Sequence, residues 1–167
     1  MRLAVAVRPP QSVVDRLAEL PRPPRPGLNW SVPEQWIVKV RPLGHVAEAL
    51  WPGLADAERA ALDGAGPVGV RVGPVAERLG GQWLGVPAHG LDDLGAAVFE
   101  ATAGIVPVTH PQPFRADLVL ARGRVPADLA GLPLDVRWTV DEVVLVADRS
   151  SPRAPRLADV AVVPLRG

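Results

Sequence analysis

The chain has no cysteine and no tyrosine, and among its 167 residues there are one methionine, two phenylalanines and a single lysine, Lys39. Without cysteine there is no disulfide framework, no thiolate nucleophile and no cysteine-ligated zinc, a pattern that fits a cytoplasmic protein. Net charge is missing too: 18 basic side chains balance 18 acidic ones. That excludes a long basic groove for non-specific nucleic-acid binding, so any anion site has to be local. No apolar run approaches the roughly 20 residues of a membrane span. The apolar opening Met1 to Val7 meets Arg8-Pro9-Pro10 at once, which does not read as a signal peptide. The three histidines, His45, His89 and His110, share no metal-binding spacing with each other or with a carboxylate. The expectation is a soluble protein with no metal, no cofactor and no membrane partner.

What is present is apolar residue, proline and glycine. A hydrophobic content of 48% over this length supports one folded domain, residues 1–167. Leu3 to Val7 reads as a strand, and Pro10 to Leu20 as a helix with Val13, Leu17 and Leu20 on one face. Gln35 to Leu43 is a strand ended by Gly44, followed by two helical pieces split at Pro52-Gly53, the second running from Leu54 to Leu62. Val68 to Val72 and Gln82 to Val86 read as an antiparallel pair across the Gly80-Gly81 turn. A helix carries Leu91, Leu94, Val98 and Ala101 on one face, with Asp92 and Asp93 at its start. The strand Asp117 to Arg122, a helical turn at Ala127 to Leu132, and strands Trp138 to Ala147 and Ala158 to Leu165 complete the order. The class is α+β.

Several of these segments carry a resemblance. The opening Arg2 to Val7, the run from Trp30 to Gly44, Phe114 to Arg122 and Val140 to Val146 resemble the 2′-5′ RNA ligase-like, or RNA 2′,3′-cyclic phosphodiesterase, branch of the two-histidine phosphoesterases. The resemblance implies a two-lobed pseudo-symmetric fold, with antiparallel sheets flanking a central cleft and helices outside. In that family each half supplies a strand with His-x-Thr/Ser, one imidazole acting as base and the other as acid while the hydroxyls hold the phosphate. Here the first motif reads Ile37-Val38-Lys39-Val40 and the second Asp117-Leu118-Val119-Leu120. All four catalytic positions, Ile37, Lys39, Asp117 and Val119, differ. Ile37 cannot move a proton and Val119 cannot hold a phosphate oxygen, so conventional phosphodiester hydrolysis is not expected.

Simple strand alternation, read onto that fold, turns Ile37, Lys39 and Arg41 toward the cleft from one half and Arg115, Asp117 and Val119 from the other. Three cations, Lys39, Arg41 and Arg115, then surround one carboxylate, Asp117, which is placed to pair with Lys39 or Arg41. Such a groove favours an anionic ligand, with a nucleotide, a phosphorylated small molecule or an RNA end as candidate partner. Trp30, just before Pro33, is the candidate base-stacking residue, whereas Trp36, Trp83 and Trp138 read as core. His110 lies seven residues before Asp117, in a loop that could fold over the groove. Three functions remain open: a binding module, an enzyme using Lys39 and Asp117 as a new proton-transfer pair, and an interaction protein with a vestigial cleft. A mixed-charge face that is merely solvated is the plain alternative to all of them.

Overall fold

Strand β1, Arg2–Val7, is apolar on both faces because it lies inside a sheet, with Val5, Ala6 and Val7 fully shielded. Its neighbours are β3 (Val38–His45) and β9 (Glu142–Asp148), both antiparallel to it. The structure is a computed structural model that describes residues 1–109, 111–151 and 153–167. The remaining strands are β2 (Leu28–Trp30), β4 (Val68–Val72), β5 (Glu77–Leu79), β6 (Trp83–His89), β7 (Ala116–Gly123), β8 (Val136–Val140) and β10 (Leu157–Pro164). They join in the order β10-β9-β1-β3-β7-β6-β4-β8, with β2 beside β7 and β5 beside β6. The sheet has two halves that meet where β3 runs antiparallel to β7, through the single aligned pair Val38 and Leu118. Each member of that pair directly follows one of the two residues, Ile37 and Asp117, on which the resemblance opens its motifs.

Among the described residues three α-helices cover the sheet: α1 (Gln11–Ala18), α2 (Trp51–Ala61) and α3 (Asp92–Ala103). Helices α2 and α3 pack together against β10 and β3, while α1 lies by β8. The main core runs beneath them through both halves, from Leu3, Val5 and Val38 to Val86, Leu118 and Leu120. The α+β, antiparallel, helices-outside expectation is met.

Three local expectations fail for identifiable reasons. Pro52-Gly53 does not split a helix; α2 begins at Trp51, and proline in a first turn lacks only an N–H that has no helical partner anyway. The Gly80-Gly81 turn joins β5, not β4, to β6, and β4 meets only the far end of β6 through Arg71–His89 and Val72–Ala88. The run Trp138 to Ala147 is two strands, β8 and β9, at separate places in the sheet. Asp141 breaks it, and its carbonyl instead accepts the Leu165 amide at 2.8 Å.

One core residue is out of keeping with its surroundings. Glu58 on α2 is fully buried on the same face as Leu54, and neither carboxylate oxygen has a hydrogen-bond partner among the described residues. Burial pushes its carboxyl up from an ordinary 4.5 to about 7, against a smaller downward pull from Arg59. The folded state therefore holds a proton that the unfolded chain releases near 4.5. The associated stability is full in acid, declines as pH rises from about 4.5, and is gone above about 7, a loss of about 3 kcal/mol. We expect Glu58→Gln to remove this dependence, so that urea unfolding shows its advantage over wild type growing by about 3 kcal/mol from pH 4 to pH 8.

Candidate functional site

Which side chains of the two motif strands face the cleft depends on a β-bulge in each, and β3 has a further one at Leu43 between the Pro42 and Gly44 pairs. On β3, Lys39 lies opposite Ala6 and Arg41 opposite Val5, so Val40 is an extra residue. On β7, Val119 lies opposite Gly85 and Ala121 opposite Leu84, so Leu120 is an extra residue. The extra residue is the fourth of the motif in both halves. An inserted residue reverses the alternation beyond it. Arg41 and Ala121 accordingly turn to the helix side, and Pro42 and Arg122 turn to the cleft.

A cavity of about 90 Å³ lies on the cleft face, lined by Arg2, Lys39, Pro42, Arg122 and Asp148 around Ile37 and its neighbours. Ile37 packs with Ala6, Val144 and Val146, and with partly buried Leu157, to form an apolar floor. Arg2 stands directly opposite Asp148 across β1 and β9. Burial, then the positive charges of Arg122 and Arg2, hold the Lys39 ammonium below the ordinary lysine range, with Asp148 opposing. Burial pushes the Asp148 carboxyl up, but Ser150, whose amide donates to it at 2.9 Å, together with Arg2 and Lys39 outweighs this and holds it low. The site is three cations around one carboxylate. Among the described residues Arg2, Lys39 and Arg122 make no ion pair or hydrogen bond, and the Arg122 Nε is buried without a partner.

The architecture matches solved structures over its whole length. TT0787 of Thermus thermophilus superposes with a TM-score of 0.86 at 22% identity, covering 100% of this chain and 99% of that one. E. coli LigT complexed with 3′-AMP gives 0.84 at 17% identity, covering 99% and 98%. The chain has the fold of LigT. LigT complexed with phosphate superposes at 0.76 with 18% identity, covering 99% and 98%. No protein-family model and no curated protein matches the chain.

Within this LigT fold only Lys39, of the cations expected in the cleft, lines the cavity. Arg41 is 3% exposed on the helix side, where it donates to Thr102 Oγ1 and, at 2.6 Å, to the Val106 carbonyl, with its guanidinium 5.1 Å from the Phe99 ring centre. The Val40 bulge put it there. Asp117 pairs with neither Lys39 nor Arg41. It accepts from Arg115 Nε at 3.1 Å, and Arg115 also holds Glu77 at 2.6 Å, in a network whose residues do not line the cavity. Asp117 and Val119 do not line the cavity. Trp30 is not in a loop but in β2, partly buried, with its indole N–H donating to the Pro23 carbonyl at 3.0 Å. His45 and His89 end β3 and β6, and His110 lies outside the described residues. The described residues hold no cluster of three or more histidine, aspartate or glutamate side chains that could bind a metal.

Arg2, Arg122 and Asp148 were missed. Arg2 and Asp148 carried a signal, as charged ends of apolar strands that become cross-strand neighbours once β1 and β9 are paired. Arg122 required the bulge.

Two substitutions separate cleft from core. Arg41→Ala strips the Val106 carbonyl and Thr102 of their donor and leaves a hole, and should cost about 3 kcal/mol in urea unfolding. Lys39→Met removes a desolvated cation beside two others and should raise the urea midpoint instead. If Lys39→Met destabilises as much as Arg41→Ala, the cleft assignment of Lys39 is wrong.

Proposed function

We propose that this chain is a single-domain relative of the LigT-like two-histidine phosphoesterases that binds a small phosphate-bearing anion in its cleft without cleaving it. The observation that carries the reading is the convergence of Arg2 and Lys39 from one half and Arg122 from the other on one cavity that holds a single carboxylate, Asp148. Three cations against one carboxylate leave an excess of positive charge over an apolar floor, which an anion would balance. The phosphate and 3′-AMP bound by E. coli LigT, a protein of the same fold, support that choice of anion.

Hydrolysis needs a proton acceptor and a proton donor on opposite sides of the phosphate. Ile37 supplies neither, and Asp117 is committed to Arg115. The rival reading, with Lys39 and Asp117 as a proton-transfer pair, loses its support with that contact. A vestigial, closed cleft is disfavoured by the remaining 90 Å³ cavity.

Calorimetric titration with phosphate tests the reading. Binding should weaken with added salt, and Lys39→Met or Arg122→Met should reduce affinity at least about 10-fold. No wild-type binding, or turnover of a 2′,3′-cyclic nucleotide, would overturn it. Sulfate, whose own charge is constant above neutral pH, isolates the protein's titration. Because Lys39 loses its proton below the ordinary 10.5, sulfate affinity should fall before pH reaches the ordinary lysine range, and Lys39→Met should abolish that fall.

A further inference from the structure

Lys39 is the one lysine in 167 residues, and it stands partly buried at the wall of the 90 Å³ cavity. It shares that wall with Ile37, Val146 and Leu157, apolar groups that cannot hydrate an ammonium. Arg2 and Arg122 line the same cavity, and among the described residues no hydrogen bond or salt bridge engages the Lys39 Nζ. Asp148 attracts it only at longer range. Arg122 is braced by Trp83, its cross-strand neighbour on β6, whose ring centre lies 5.1 Å from the guanidinium. Trp83 is 41% exposed in that role and is not part of the core.

Burial and two neighbouring guanidiniums favour the uncharged amine over the ammonium. An arginine in this place would stay charged, whereas a lysine can give up its proton and become a nucleophile. A desolvated lysine beside another cation is a setting suited to attack on a carbonyl carbon. The cations that drive the proton off are also anion donors. As an ammonium Lys39 helps to hold the anion; as an amine it reacts, leaving Arg2 and Arg122 to hold it. A ligand that uses both properties carries a carbonyl and an anionic group a short distance apart, and the cavity volume keeps it small.

We propose that Lys39 captures a small phosphate-bearing aldehyde as an imine, with the phosphate on Arg2 and Arg122. The proposal rests on the anion-binding reading above and adds a covalent step to it. The uncharged Nζ attacks the carbonyl carbon, forming an N–C bond and opening the C=O double bond to give a carbinolamine. The carbonyl oxygen then leaves as water with both Nζ hydrogens, and an Nζ=C double bond remains. The step consumes no oxidant or reductant and does not call on Asp117.

The test is to incubate the full chain with glyceraldehyde 3-phosphate and reduce with borohydride, which converts an imine into a stable secondary amine. Mass spectrometry of the intact protein and its peptides then locates the label. The chain offers two amines, Lys39 and the Met1 α-amine, whose ammonium donates to the Val46 carbonyl at 2.9 Å. Wild type should be labelled once, at Lys39, at least about 10-fold faster than with unphosphorylated glyceraldehyde, the scale of one charge-assisted contact. Inorganic phosphate should protect, and the labelling rate should level off below the ordinary lysine value of 10.5 as pH rises. Arg122→Met, with its fold checked by thermal melting, should erase most of the advantage of the phosphate ester over glyceraldehyde. Labelling chiefly at Met1, or equal rates for glyceraldehyde and its phosphate, overturns the proposal. Calorimetric binding of inorganic phosphate to wild type with no label on Lys39 overturns the covalent step and leaves the anion site standing. Absence of both removes both readings together.

Discussion

Two inserted residues, Val40 and Leu120, govern what the cleft can be. Each occupies the fourth place of its motif, three residues after Ile37 or Asp117, and each reverses the strand alternation beyond it. On the first strand the reversal sends Arg41 into the core, where Thr102, Val106 and Phe99 surround it, and exposes Pro42. On the second it buries Ala121 and delivers Arg122 to the cavity. The two reversals mirror one another about the Val38–Leu118 pair. One geometric device, used twice, takes one arginine out of the cleft and brings another into it.

The fold was largely readable in the sequence because its signals are local. Apolar β-branched runs, amphipathic spacing and glycine turns gave most elements within a few residues, and the motif frames in both halves gave the symmetry. Errors came where a distant contact decides. Nothing in Trp138 to Ala147 announces that Asp141 leaves the strand to serve Leu165. The site was less readable for the same reason, since a bulge is a property of a pair of strands and not of one. Alternation placed Lys39 on the cavity side because it precedes the bulge, failed for Arg41 because it follows it, and gave no hint of Arg122. Three cations and one carboxylate were expected and three cations and one carboxylate are present, yet only Lys39 belongs to both sets.

The stability of the molecule is uneven in an informative way. The main core from Leu3 to Leu165 is apolar and closely shielded, so the unfavourable groups stand out against it. Two are positioned very differently. Glu58 lies between helix and sheet with both oxygens unpartnered, far in chemistry from any anion site. Lys39 and its arginine neighbours border an open cavity, where a ligand can supply what the protein withholds. Destabilising groups gathered on a cavity are the ordinary cost of a binding site, whereas an isolated buried carboxylic acid makes the core sensitive to pH. Arg41 is the contrast to both, since it is as deeply placed as Glu58 but has its donors met.

The narrow join between the two halves has a mechanical meaning. Along the line where β3 meets β7 the strands share one aligned residue pair, so few backbone bonds oppose a twisting or parting of the halves. Arg2 and Lys39 are anchored on one side of that line and Arg122 on the other. An anion gripped by all three would be a rivet through the two plates, stiffening the sheet at its weakest seam. Occupancy would then be readable far from the cleft, as slower hydrogen exchange of the amides along β3 and β7.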